Sequence, residues 1–151
     1  MTTAIYYPVT TSDLLYTRDS FYHTLTTLAL QAERVDICTY TFNPLSGIVD
    51  EFLQALPLRS RILIGLRGQT DSKTLRAHAK GLKGIFIRYN PDVHAKFFLF
   101  HSKKGKERLP AVLGSANLNG SLSINVSIVL MHHQPELLHI FNNAWTEGKR
   151  L

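Results

Sequence analysis

The chain has a single cysteine, modest charge and no long apolar run, and each shortage removes a class of protein. Cys38 is the one cysteine among 151 residues, so no disulfide can form within the chain and Cys-x-x-Cys zinc sites are excluded. That usage fits a reducing compartment. No apolar stretch reaches the ~18 residues that a membrane span needs. The segment MTTAIYYPVTTSDLLYTRD lacks a basic region followed by an apolar one, so no secretory signal is read and the expected location is the cytoplasm, with no membrane partner. Repeats, low-complexity tracts and Gly/Ser linkers are also missing, which leaves one domain over residues 1–151 as the simplest organisation.

What is there is enough apolar surface for a core and an excess of cations. At 44% hydrophobic and 19% charged the chain is not disordered. Lys+Arg is 17 and Asp+Glu is 11, a net charge of +6, which favours nucleic acid first and anionic lipid second.

Periodicity sets out the elements. Asp19 or Ser20 is read as the cap of a helix carrying Phe21, Leu25, Leu28 and Ala32. Val35–Phe42 (VDICTYTF) reads as a strand, and Pro44 as the opening of a helix with Ile48, Val49, Phe52, Leu53 and Leu56 as its stripe. A strand at Arg61–Leu66, a third helix over Asp71–Leu82 and a strand at Ile85–Tyr89 follow. Alternating helices and strands predict an α/β domain: a mixed, mostly parallel sheet flanked by helices. Val93–Phe100 and Leu109–Ser115 flank the polar HSKKGKER and read as a hairpin with a charged tip. Ile124–Met131 is a further strand, and Pro135–Trp145 a closing amphipathic helix.

The chemistry concentrates in VHAKFFLF and GSANLNGS. His94 and Lys96 stand two apart on an expected strand, so an imidazole and an ammonium share one face. Gly114, Ser115 and Asn117 fall where a strand yields to a turn, and hydroxyl, amide and backbone N–H groups there can all donate to an anion. Together they describe a phosphate site.

His-x-Lys followed by Gly-Ser-x-Asn, after a segment such as DICTYTF, resembles the phospholipase D superfamily and its HKD motif. The resemblance runs from about Ser20 to Trp145. A single motif copy looks like the small bacterial nucleases of that superfamily and the nuclease domains of its restriction endonucleases, which act as homodimers. It implies that His94 attacks phosphorus in one subunit and serves as acid and base in the other. Lys96, Asn117 and Ser115 would hold the phosphate oxygens, and no metal or cofactor is called for.

Two positions depart from the motif. His101 stands where the family places an aspartate. Asn125-Val126-Ser127 stands where the family has Asn-x-Glu, so Ser127 occupies the place of the glutamate that orients the imidazole. Lys103, Lys104, Lys106 and Arg108 read either as a clamp on nucleic-acid phosphates beside the site or as a solvated loop that blunts a sheet edge. His132, His133 and His139 are read as strand and helix positions rather than metal ligands, the dispersed Arg59, Arg61, Arg67, Arg76 and Lys80 as solvated surface, and Cys38 as inert core. The expectation is a metal-independent phosphodiesterase acting on nucleic acid, DNA preferred, as a homodimer. The rival readings are a catalytically impaired module that binds nucleic acid or recruits partners, and a phospholipid hydrolase.

Overall fold

The computed structural model describes residues 14–15, 17–65, 72–121, 125–130 and 135–150. A two-residue strand β1 (Leu14–Leu15) precedes helix α1 (Arg18–Gln31). The cap is Thr17, not Asp19 or Ser20. Thr17 is extended, and its Oγ1 accepts the Ser20 backbone N–H at 3.1 Å. Asp19 then sits in the first turn, where a negative charge complements the helix dipole.

Strand β2 (Ala32–Thr39) leads through a turn to helix α2 (Gly47–Gln54). That helix starts three residues later than Pro44 suggests, because Asn43 is already committed. Its backbone N–H donates to Leu118 O at 3.0 Å and its Oδ1 accepts from Leu45 N–H at 3.1 Å. Strand β3 (Arg61–Ile64), helix α3 (Ser72–Gly81) and strand β4 (Phe86–Tyr89) follow, then β5 (Phe97–Ser102), β6 (Ala111–Gly114) and β7 (Ser127–Leu130). Helix α4 (Pro135–Glu147) and a short β8 (Lys149–Arg150) close the chain.

The strands form one sheet in the order β1-β7-β6-β5-β2-β3-β4-β8. The α/β class and the mixed sheet are as expected from the sequence, but the parallel share is smaller. Among the described strands β2–β3 and β3–β4 pair in parallel and the other pairs are antiparallel, with one further parallel bridge at Phe42–Leu118 outside the strands. The cause is connectivity. Helices α2 and α3 return the chain to a neighbouring strand in the same direction, whereas α1 and α4 link strands that are not neighbours in the sheet. The expected β5–β6 hairpin is present, with Gly105 at φ 76° in its tip.

Alternation along the strands separates two cores. Val35 and Ile37 of β2 join Phe98 and Phe100 of β5 under α1, α2 and α3. Cys38, Leu63, Phe97 and Leu99 face the other way and pack beneath Phe141 of α4. Burial pushes the Cys38 thiol up to about 12, with nearby Lys96 opposing, so it is unreactive core as read.

Candidate active site

The carboxyl ends of β2, β3 and β4 point in one direction, since these strands are parallel. At the end of β4 the chain must reverse and reach β5, which lies on the far side of β2. Asn90 makes the reversal. It is buried, its Oδ1 accepts Asp92 N–H at 3.0 Å, and its Nδ2 donates to Ala144 O of α4 at 3.0 Å. Residues 93–96 then cross over the ends of β3 and β2. Gly65 permits the crossing, because a β-carbon there would collide with the Val93 carbonyl and lie 3.1 Å from the Tyr40 ring.

His94 and Lys96 therefore do not sit on β5, which begins at Phe97; they sit in the crossing segment just before it. They are nonetheless gathered on one side, by Tyr40 rather than by strand parity. The His94 imidazole stacks on the Tyr40 ring with centroids 4.5 Å apart and planes 18° from parallel. Lys96 Nζ lies 5.8 Å from the same ring centroid and donates to His94 O at 3.1 Å. The cation remains close to the ring face, where the aromatic quadrupole attracts it. Crossings outside the carboxyl ends of parallel strands are the usual place for ligand sites in open α/β sheets.

Asn117 arrives from the turn after β6. Its Oδ1 accepts the backbone N–H groups of Tyr40 at 3.0 Å and Thr41 at 3.1 Å. Two donors on that atom fix the amide orientation and leave Nδ2 on the opposite side, unbonded among the described residues. Thr39 Oγ1 donates to Thr41 O at 2.7 Å and accepts Leu118 N–H at 2.9 Å, and Asn119 Nδ2 donates to Thr41 Oγ1 at 2.8 Å. Tyr22 holds the turn from beneath, its hydroxyl accepting Gly120 N–H at 2.9 Å and reaching Asn117 O at 3.3 Å. Burial pushes that phenol up, so it stays protonated as a donor. The turn is thus laced to the end of β2, and the same segment that carries Tyr40 positions Asn117.

Ser115 and Asn125 meet each other. Ser115 Oγ accepts Val126 N–H at 2.9 Å, and Asn125 Oδ1 lies 3.2 Å from the same hydroxyl. Ser115 thereby closes the β6–β7 turn, a structural duty that a hydroxyl aimed only at phosphate would not have. Ser127 is buried at 2% exposure and opposes Gly114 in the ladder, where a β-carbon on Gly114 would lie 2.7 Å from Ser127 Oγ. No hydrogen bond joins Ser127 to His94 among the described residues, and the imidazole nitrogens have none there.

Lys103, Lys104, Lys106 and Arg108 do not flank this site. β5 runs away from Lys96 to Ser102, so the hairpin tip is at the opposite end of the sheet, roughly 20 Å away at the usual strand rise. There Lys103 and Arg108 border two grooves of about 1040 and 770 Å³. His101 is at that end as well. Its Nε2 is 2.7 Å from Oδ2 of Asp36, which is fully buried. Arg61 forks onto the same carboxylate at 2.8 and 2.9 Å, and Arg34 adds a contact at 3.2 Å. A carboxylate absent at position 101 is thus present on the neighbouring strand. Burial alone would raise the Asp36 pKa, but the His101 and Arg61 hydrogen bonds and the Arg61 and Arg34 charges outweigh it and hold the carboxyl at about 2.

His139 sits on the exposed face of α4, with Asn143 Nδ2 3.2 Å from its Nε2. His132 and His133 lie outside the described residues, as does Arg67.

No protein-family model matches the sequence, and no curated protein matches it. Solved structures do match in fold. NucT from Helicobacter pylori superposes with a TM-score of 0.68 at 10% identity, over 91% of this chain and 97% of that one. Polyphosphate kinase from Porphyromonas gingivalis gives 0.63 at 18% identity, over 86% of this chain but 26% of the kinase. TrmBL2, an archaeal chromatin protein, gives 0.58 at 11% identity, over 91% of this chain and 53% of TrmBL2. The chain has a phospholipase D-like fold. It spans about a quarter of the kinase, half of TrmBL2 and nearly all of NucT. Among the described residues no helix is long and apolar enough to cross a membrane.

Proposed function

We propose that the protein is a metal-independent phosphodiesterase that cleaves nucleic acid, DNA preferred, at a site built from His94, Lys96 and Asn117. The observation that carries this reading is the convergence of all three on Tyr40: stacked His94, adjacent Lys96, and Asn117 bonded to the Tyr40 backbone. A nucleophile, a cation and an amide donor are the parts that in-line displacement at phosphorus needs. A fold shared with a DNA-binding chromatin protein and a net charge of +6 support DNA as the anion.

In the proposed reaction a His94 ring nitrogen attacks phosphorus and the P–O bond to the leaving group breaks. His94 of the partner subunit protonates the departing oxygen, then takes a proton from the water that hydrolyses the phosphohistidine. His-x-Lys also occurs at His78–Lys80 on α3 and at His101–Lys103, where His101 is bonded to Asp36, but the His94–Lys96 pair is the one gathered with Asn117 at Tyr40, so a homodimer would supply both faces of the phosphate. Lys96 and the free Nδ2 of Asn117 would hold the non-bridging oxygens.

The test is cleavage of plasmid and single-stranded DNA in excess EDTA. Activity should persist with chelator and disappear in His94→Ala. Cleavage that needs a divalent cation and survives the substitution would overturn the reading. A second reading, a catalytically impaired nucleic-acid-binding module, is favoured by Ser127, which offers the imidazole no carboxylate. Under it DNA binds and neither form of the protein cuts.

A further inference from the structure

Five cations separated in sequence, Arg61, Arg76, Lys80, Arg88 and Arg150, surround one groove of about 530 Å³ at the β4–β8 end of the sheet. Among the described residues no acidic side chain lines it. Two of the five are committed: Arg61 to the Asp36 carboxylate, and Arg88 through Nη1 to Trp145 O at 2.7 Å. Arg76 and Lys80 lie one turn apart on α3, and neither they nor Arg150 pair with an acid among the described residues. Like charges at that spacing repel, so the cluster is a positive concavity awaiting an anion.

The groove also carries a free aromatic face. Phe86 is 54% exposed and belongs to neither core. Trp145 is not available in the same way, since Arg61 and Arg88 lie over its ring at 5.4 and 4.6 Å and Phe141 stacks on it. Phe86 and Arg61 begin the parallel strands β4 and β3, whose far ends carry the His94 site. The groove is therefore separated from that site by the length of the strands, roughly 13 Å.

We infer that this groove is a second nucleic-acid site, one that takes a single-stranded segment with phosphates on Arg76, Lys80 and Arg150 and a base stacked on Phe86. Cations that track a backbone beside an exposed aromatic ring suit an unpaired strand, whose base faces are open, whereas duplex stacking hides them. The inference shares with the proposed function only the class of partner, and needs no chemistry at His94.

The test is fluorescence anisotropy with a short labelled oligodeoxythymidylate and a duplex of equal length, in a His94→Ala background so that nothing is cut. Combined Arg76→Gln and Lys80→Gln should weaken oligodeoxythymidylate binding about tenfold or more and flatten its log–log salt slope by ~1.4, from ~0.7 per phosphate. Phe86→Ala should weaken the single strand at least about fivefold and leave the duplex nearly unchanged, while Phe86→Trp should keep single-strand affinity. Unchanged affinity and slope would overturn the site. Equal weakening of single strand and duplex by Phe86→Ala would overturn the stacking assignment. With His94 intact, hydrolysis of bis(p-nitrophenyl) phosphate should be untouched by all three variants. Failure of that hydrolysis in the unsubstituted protein would count against the proposed function and leave the binding result standing.

Discussion

Tyr40 and His94 are stacked face to face, 4.5 Å apart, although they belong to different elements and lie 54 positions from each other (94 − 40). The contact fixes the plane of an imidazole that has no hydrogen-bonded orienting partner among the described residues. Under the proposed function Tyr40 is therefore a positioning residue. Tyr40→Leu should lower kcat about 3- to 10-fold, the worth of one aromatic pair, with little change in KM. Tyr40→Phe should retain wild-type kcat. Equal losses in the two variants would show that the phenol hydroxyl, and not the stack, matters.

Under the proposed function Asn117 would have two roles on two atoms, and substitution separates them. Asn117→Ala removes the acceptor for the Tyr40 and Thr41 N–H groups and should cost about 1–3 kcal/mol of stability. Asn117→Asp keeps that acceptor but replaces the amide donor, proposed to hold the phosphate, with a negative charge. Its melting temperature should stay near wild type while DNA cleavage falls about 10²-fold or more. Cleavage that survives Asn117→Asp would remove the amide from the reacting site.

Asp36 makes stability depend on acid. Its folded carboxyl titrates at about 2 against an ordinary 3.8. A depressed carboxyl contributes stability that is complete above the ordinary value and is lost as pH falls through the folded one. About 2 kcal/mol should disappear between pH ~4 and ~2 in urea titrations. Asp36→Asn leaves Arg61 and Arg34 without their carboxylate and should cost ~3–5 kcal/mol at neutral pH, while losing that part of the acid dependence. An identical acid profile in the variant would mean that Asp36 is not the titrating group.

Much of this was readable from residue order, for identifiable reasons. Strong alternation and apolar runs mark β2, β3, β4 and the β5–β6 hairpin within a few residues, because each buries both or one full face. β1 and β8 are two residues each and have no pattern to read. His94, Lys96 and Asn117 were legible as a motif, but the reason they meet was not. It depends on a crossing over Gly65 and on a lattice of bonds from Thr39, Tyr22 and Asn119. DICTYTF signalled the importance of that stretch without singling out Tyr40. The Asp36–His101 pair was hidden because its partners are 65 residues apart and only the β2–β5 register brings them together. The basic hairpin is remote from His94 because the six residues of β5, visible as an apolar run in the sequence, stand between them.

A mixed dimer probes the sharing of roles between two copies of His94. One unsubstituted subunit paired with one His94→Ala subunit should cut DNA at a small fraction of the parent rate, since either the nucleophile or the proton donor is missing at each phosphate. A rate near half of the parent would mean that each subunit works alone.

The central claim is that His94 is the nucleophile, and the covalent intermediate tests it most directly. The reaction would be run in excess EDTA with DNA labelled next to the scissile phosphate, quenched in alkali to preserve phosphohistidine, and digested for peptide mass spectrometry. The labelled adduct should appear on the peptide that contains His94 and nowhere else, and should be absent from His94→Ala. Steady DNA cleavage under the same conditions with no adduct on His94, or with the adduct on another residue, would contradict it.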